Sequence, residues 1–282
     1  MAYAGYAGTG YSSLREIQQY QHQFFELFEP KEEAEPREHF ADPSKKELCL
    51  FLQLHNDEIT PEILNNVDEV YHHYPNFDVY ITVIKDRSLG FVEEAIKSRK
   101  WVDSVKRIDL FRKNRGMDIG AFLWQLDQVR TTPHEYVALL KFHTKSAHGW
   151  RREMIQPFTT KNIGTHVNHL KQTSAVGLMG VSSRMYLNNE YGEARYLRDM
   201  EKAVFGRFSA PGERGFIGGS VFLANYKLLC EMMAEAGLRQ YIEDCYNKAP
   251  IGWCADGIPH AFERFISYYM LMNAKKILGV RS

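Results

Sequence analysis

The chain of 282 residues has four cysteines, Cys49, Cys230, Cys245 and Cys254, none in a CxxC pair and none spaced as zinc ligands. That excludes a disulfide-stapled scaffold and a zinc-finger module. Cys49 sits inside an apolar run and reads as a reduced core thiol. An excess of charge of one sign is missing too. The 35 Lys and Arg balance 35 Asp and Glu, so the basic surplus of a generic nucleic-acid binder is absent. No stretch reaches the roughly 18 uninterrupted apolar residues of a spanning helix. The N-terminus lacks the charged start and apolar core of a signal peptide, so a soluble, cytoplasmic chain is expected. The common catalytic signatures are absent as well: GxxxxGK with Ser or Thr, GxGxxG after the first strand, HExxH and GxSxG.

What is there supports a folded core, with 44% hydrophobic and 25% charged residues. Aromatics reach 13%, which suits a core with a stacking or sugar-binding site. The length predicts one to two domains. Residues 1–46 read as an arm in three parts. A Gly-rich tail comes first, then a helix capped by Ser12 or Ser13 and running to about Phe28, then a proline-bearing charged linker.

The main domain, 47–282, opens with ELCLFLQLH, a continuous apolar run expected of a buried parallel strand. Thr60 as N-cap and Pro61 at the first helical position predict a helix after it. Three further strand–helix units follow in FDVYITVIKD, SVKRIDLFR and HEYVALLKFHT with their helices, the signature of an open α/β sheet. The second half is less regular and closes on a long amphipathic helix, DGIPHAFERFISYYMLMNAKKIL, expected to dock on the sheet rather than on a membrane.

Ligands of such sheets bind beyond the carboxyl ends of the strands, so the polar clusters there are the candidate site. They are His55, Asn56 and Asp57; Asp86; Asn114, Arg115, Gly116 and Asp118; and Lys141, His143, Thr144 and Lys145. KNRGMDIGAFL sets Arg115 beside a helix start, which suits a phosphate or a sugar hydroxyl network; a plain turn with Asp118 as helix cap gives the same pattern. KFHTKSAHGWRRE concentrates cations at a strand end, as an anion site does. Gly218 and Gly219 permit close backbone approach to a ligand, and Asp256, His260 and Glu263 gather around a helix start.

Taken together, KNRGMDIGAFL, YVALLKFHTKSAHGWRREM, GGSVFLANYKLL and DGIPHAFERF resemble the rhamnan synthesis protein F family of sugar transferases, in order and spacing over about 47–280. The resemblance implies a single GT-A (Rossmann-like) domain with a central, mostly parallel sheet, and transfer of a sugar from a nucleotide-diphosphate donor to a glycan hydroxyl, with inversion. The donor would be a dTDP, UDP or GDP sugar carrying rhamnose or another deoxysugar or pentose. It would contact His55, Asn56, Asp86, Asn114, Arg115, Gly116, Asp118, Lys141, His143, Thr144, Lys145, Gly218 and Gly219, with Trp150 and Arg151 on the acceptor. Asp256 is the first choice of base, then Glu263, with His260 beside them. The usual Asp-x-Asp metal motif is replaced by KFHTKS, so cations would neutralise the diphosphate and neither Mn nor Mg is expected to be required. A lipid-linked acceptor would bring the protein to a membrane face as a peripheral visitor, and no nucleic-acid partner is expected. The alternative is a non-catalytic nucleotide-sugar or carbohydrate-binding module on the same fold.

Overall fold

The computed structural model describes residues 25–28, 45–112, 114–187, 194–208, 215–251, 257–273 and 275–281; for 25–28, Leu187 and Ala194 the backbone alone is described. The strands are β1 (Phe25–Phe28), β2 (Leu48–Leu54), β3 (Phe77–Val83), β4 (Val105–Leu110), β5 (Ala138–His143), β6 (Val176–Val181), β7 (Met185–Leu187), β8 (Gly215–Ile217), β9 (Phe222–Asn225) and β10 (Lys276–Val280). The helices are α1 (Thr60–His73), α2 (Asp86–Ile96), α3 (Met117–Val129), α4 (His148–Ile155), α5 (Ile163–Gln172), α6 (Ala194–Phe205), α7 (Tyr226–Ala234), α8 (Arg239–Asn247) and α9 (Ile258–Met272).

Eight strands form one sheet in the order β1-β10-β6-β9-β5-β2-β3-β4, parallel except for β9, which runs against both its neighbours. β7 and β8 form a separate antiparallel ribbon. The expected α/β class with a mostly parallel sheet is what the chain adopts. All seven residues of β2 and of β3 are buried, because helices cover both faces of the sheet. Phe51, Leu139 and Ala224 belong to a core with α3, α7, α8 and α9; Leu50, Leu140 and Met179 belong to one with α1, α4 and α5.

Three expectations are corrected. The N-terminal helix does not reach Phe28: Phe25–Phe28 is strand β1, lying parallel to β10 with Phe25 opposite Ile277, and the rest of that helix lies outside the described residues. The last helix stops at Met272, and the apolar residues after it become β10, where Ile277, Leu278 and Val280 bury themselves beside β6. Thr60 is the first residue of α1 rather than its cap, its hydroxyl donating back to the Asn56 carbonyl at 2.9 Å. The apolar face of α9 is occupied by protein, Phe265 lying 6.2 Å from Phe205 and burying with Phe262, Ile266 and Tyr269. Among the described residues no helix is long and apolar enough to cross a membrane.

The chain lays β2, β3 and β4 side by side, then returns to place β5 on the other side of β2. Connections therefore diverge at the carboxyl ends of β2 and β5, which opens a crevice there.

Candidate functional site

A polar rung crosses the sheet where its apolar runs stop. Gln53 of β2 is level with Thr82 of β3 and His143 of β5, and Thr82 is level with Asp109 of β4. Ser220, in the turn before β9, extends the row, its Oγ 3.5 Å from His143 Nε2. All five are buried. Buried polar groups ordinarily find partners, and several here do not. Gln53 Nε2 donates to Gln125 Oε1 of α3 at 3.2 Å, which leaves Gln53 Oε1 and Gln125 Nε2 unpaired; Asp109 Oδ2, His55 Nε2 and Asn114 Oδ1 are unpaired as well.

Below Ser220 and His143 lies an ion pair. Lys141 is 0% exposed, and its Nζ sits 2.6 Å from Asp118 Oδ2, at the start of α3, while donating to the Ser220 carbonyl at 2.9 Å. Ser220 Oγ donates to the same carboxylate oxygen at 2.5 Å, so Asp118 binds across the crevice instead of capping its own helix. Burial alone would raise the Asp118 carboxyl, but nearby His143 and Lys141, with hydrogen bonds from Lys141 and Ser220, hold it well below the usual range. Burial pulls Lys141 down against the opposing pull of Asp118. It lowers His143 to about 3 and His55 to about 4. His143 Nε2 is 2.9 Å from the Gly219 carbonyl, which can only accept, so Nε2 carries the proton.

Two strained turns face each other over this cluster. Asn114 (φ 39°), Met117 (φ 54°) and Ser220 (φ 53°) are the non-glycine residues with positive φ among the described residues, and Gly116 and Gly219 join them at 70° and 90°. Such conformations cost energy and persist where the surroundings over-determine them. A side chain at Gly219 would also meet Met154 Sδ at 2.3 Å.

Among the sequence-predicted residues, Asp118, Lys141, His143, Gly219 and Glu263 come together. Glu263 Oε1 accepts the Gly219 N–H at 2.5 Å, and Gly218 N–H donates to the Arg184 carbonyl at 2.8 Å. Thr144 accepts the His55 N–H at 2.9 Å and ties the β2 and β5 ends. Asn56 shapes the turn before α1, its Oδ1 accepting the Glu58 N–H. Asp86 is exposed and pairs with Arg112 at 3.2 Å. The Arg115 guanidinium turns to the end of α8 and donates to the Ala249 carbonyl at 2.7 Å. Arg151 is 3% exposed, paired with Glu62 and bonded to the Lys145 carbonyl, so it does not face an acceptor. Lys145 itself stacks on Trp150, 4.0 Å from the ring centroid. His260 stands in the first turn of α9. Asp256 lies outside the described residues.

Sequence reasoning missed Gln53, Thr82, Asp109, Gln125 and Arg184. A lone Gln inside ELCLFLQLH was the one signal available, since the rung exists only through register. Among the described residues no three His, Cys, Asp or Glu side chains form a metal-binding group.

No protein-family model matches the chain, and no curated protein matches it. Solved structures do. A mannosyltransferase from Pyrobaculum calidifontis, in complex with GDP-Man and Mn2+, is similar at 11% identity and a TM-score of 0.47, over 95% of this chain and 61% of that one. TarS of S. aureus with UDP-GlcNAc is similar at 16% identity and a TM-score of 0.38, over 71% and 53%. The S. cerevisiae mannosyltransferase Ktr4p is similar at 10% identity and a TM-score of 0.41, over 83% and 69%. The chain thus spans about three fifths of the first of these and half of the second.

Proposed function

We propose that this chain is a GT-A glycosyltransferase domain that moves a sugar from a nucleotide-diphosphate donor to a hydroxyl of a glycan acceptor, with inversion. The observation that carries the reading is the polar rung at the divergence of β2 and β5, roofed by two strained turns and locked by the Lys141–Asp118 pair. A crevice of that kind at the carboxyl ends of an open sheet holds a ligand rich in hydrogen-bonding groups. The blocks that carry the rhamnan synthesis F resemblance include Asp118, Lys141, His143 and Ser220 of this site.

In this reading the nucleotide lies across the ends of β2 and β3, near His55, Asn56 and Asp86, and the sugar lies over Asp118 and Gly219. Lys141 holds Asp118 and Ser220 and so fixes the turn the sugar rests on, while Asn114, Arg115 and Gly116 frame the opposite turn. An acceptor hydroxyl attacks the anomeric carbon and gives its proton to a carboxylate. Asp256 is the first candidate for that base. Glu263, already holding Gly219, and His260 are the others.

Among the described residues the ligand set around Asp118 does not fit a divalent cation. The Asp118 carboxylate oxygen near the turn is shared by a buried ammonium and a hydroxyl, and divalent ions of this kind take several free oxygens.

The test is a thermal-shift and donor-hydrolysis screen of dTDP, UDP and GDP sugars, with and without manganese, followed by Asp256→Asn. One donor should both stabilise and turn over, without manganese, and Asp256→Asn should keep donor binding but lose transfer. Stabilisation without turnover would favour a binding module. Chelator-sensitive activity restored by manganese would overturn the metal-free mechanism.

A further inference from the structure

Beside the Gly218–Gly219 turn, outside every motif noted above, stands Arg184, in the short turn between β6 and β7. Its carbonyl accepts the Gly218 N–H. Its guanidinium lies 4.8 Å from the centroid of the Trp150 ring, the same ring that Lys145 approaches to 4.0 Å from the end of β5. Two cations therefore share one indole, drawn by the negative charge of its faces. Their mutual repulsion opposes this arrangement unless negative charge sits between or beside them.

Both cations are held in place. Arg151, paired with Glu62, grips the Lys145 carbonyl. Glu153 grips Arg184 and Ser183, which fixes the turn after β6. The balance of charge is uneven. Glu153 offsets Arg184, but Lys145 has no carboxylate partner among the described residues. The third group is a donor as well: Trp150 Nε1 is buried without a partner, and it lies 3.5 Å from where a side chain on Gly219 would begin. An ammonium, a forked guanidinium and an indole N–H, all donors, border the turn beneath which Asp118 is already neutralised.

We propose that Lys145, Arg184 and Trp150 form a subsite for phosphate oxygens, and that it receives the diphosphate of the donor. This rests on the transferase reading. As the bond between the anomeric carbon and the phosphate oxygen breaks, its electron pair leaves on that oxygen. The acceptor oxygen forms the new bond, its proton passes to the carboxylate base, and the two cations stabilise the charge developing on the diphosphate. Arg184, whose Nη2 is held by Glu153 and whose Nη1 lies 3.4 Å from Tyr186 Oη, adds its positive charge to that of Lys145.

The experiment is calorimetric titration of the full chain with inorganic pyrophosphate, alone and in competition with UDP, GDP and dTDP. The wild type should bind pyrophosphate, and a nucleoside diphosphate should displace it. Arg184→Gln and Lys145→Gln should each weaken pyrophosphate about tenfold to a hundredfold, as expected for loss of a charged hydrogen bond. Arg184→Lys should recover part of that loss, and melting temperatures serve as the folding control. Equal pyrophosphate affinity in wild type and variants, or no binding at all, overturns the proposal. So does a nucleoside diphosphate that binds alongside pyrophosphate without displacing it, which would assign the anion to a phosphate on the acceptor. If no sugar donor is turned over but the pyrophosphate pattern holds, the subsite stands and the transferase reading falls.

Discussion

His143 and His166 are 6% and 3% exposed, and burial holds them near 3 and 4 respectively, below the ordinary imidazole value. In the unfolded chain both take up protons near pH ~6.5, while the folded chain keeps them neutral. Their folded values are lowered, so stability is full above ~6.5 and declines as pH falls from there, towards about 4 for His166 and about 3 for His143. Each histidine contributes a slope of up to about 1.4 kcal/mol per pH unit in that window. Denaturant midpoints at pH 7 and pH 5 should therefore differ clearly, and His143→Gln should make the difference smaller. A midpoint that stays constant across the window would contradict the burial of these rings. Asp118, held low, adds a further loss only below ~4.

At the scale of elements, α3 is fixed by how closely its first turn approaches the loop before it. Gly120 N–H donates to the Gly116 carbonyl at 2.7 Å, and a Cβ on Gly120 would stand 2.0 Å from the Arg115 carbonyl oxygen. Backbone on backbone cannot give way as a flexible side chain can. Gly120→Ala is expected to destabilise the protein by about 1–3 kcal/mol or more, and to weaken donor binding through the displaced Asp118. Gly90, exposed in α2 with nothing within 4 Å of its Cβ position, is the control. Gly90→Ala should stabilise by about 0.5–1 kcal/mol, because it removes backbone freedom in a helix without a clash. Urea denaturation of the two variants checks both signs.

At the scale of the molecule, β1 covers the outer edge of β10 in a sheet whose other end is β4. An uncovered strand edge offers unpaired N–H and C=O groups to another chain. Deleting residues 1–28 should thus raise self-association, seen by light scattering, while donor turnover persists because the β2–β5 crevice is four strands away from β1. Loss of turnover in a monomeric deletion variant would instead tie the arm to the site.

Continuous apolar runs such as LCLFLQL are hydrophobic enough to declare buried parallel strands by themselves, and Pro61 marks the start of α1 from local geometry alone. The polar residues at the ends of those runs are likewise legible, because an α/β sheet must place them at its carboxyl edge. Register is not legible. Gln53, Thr82, Asp109 and His143 are scattered over 91 positions and become one rung only when four strands align. Nor does local sequence say whether a charged group is buried. Lys141 and Arg151 read as ligand-facing cations, yet the first is sealed against Asp118 and the second against Glu62. The final stretch illustrates the limit from the other side. KILGV continues a helical pattern in sequence, but the open edge of β6 offers a ladder of backbone hydrogen bonds that the helix cannot, and the segment becomes β10. Local propensity and hydrophobic pattern thus determined which segments are strands and helices in most of the domain. Partnering between distant segments, which depends on long-range backbone hydrogen bonds and burial, decided the rung, the ion pairs and the strands β1 and β10.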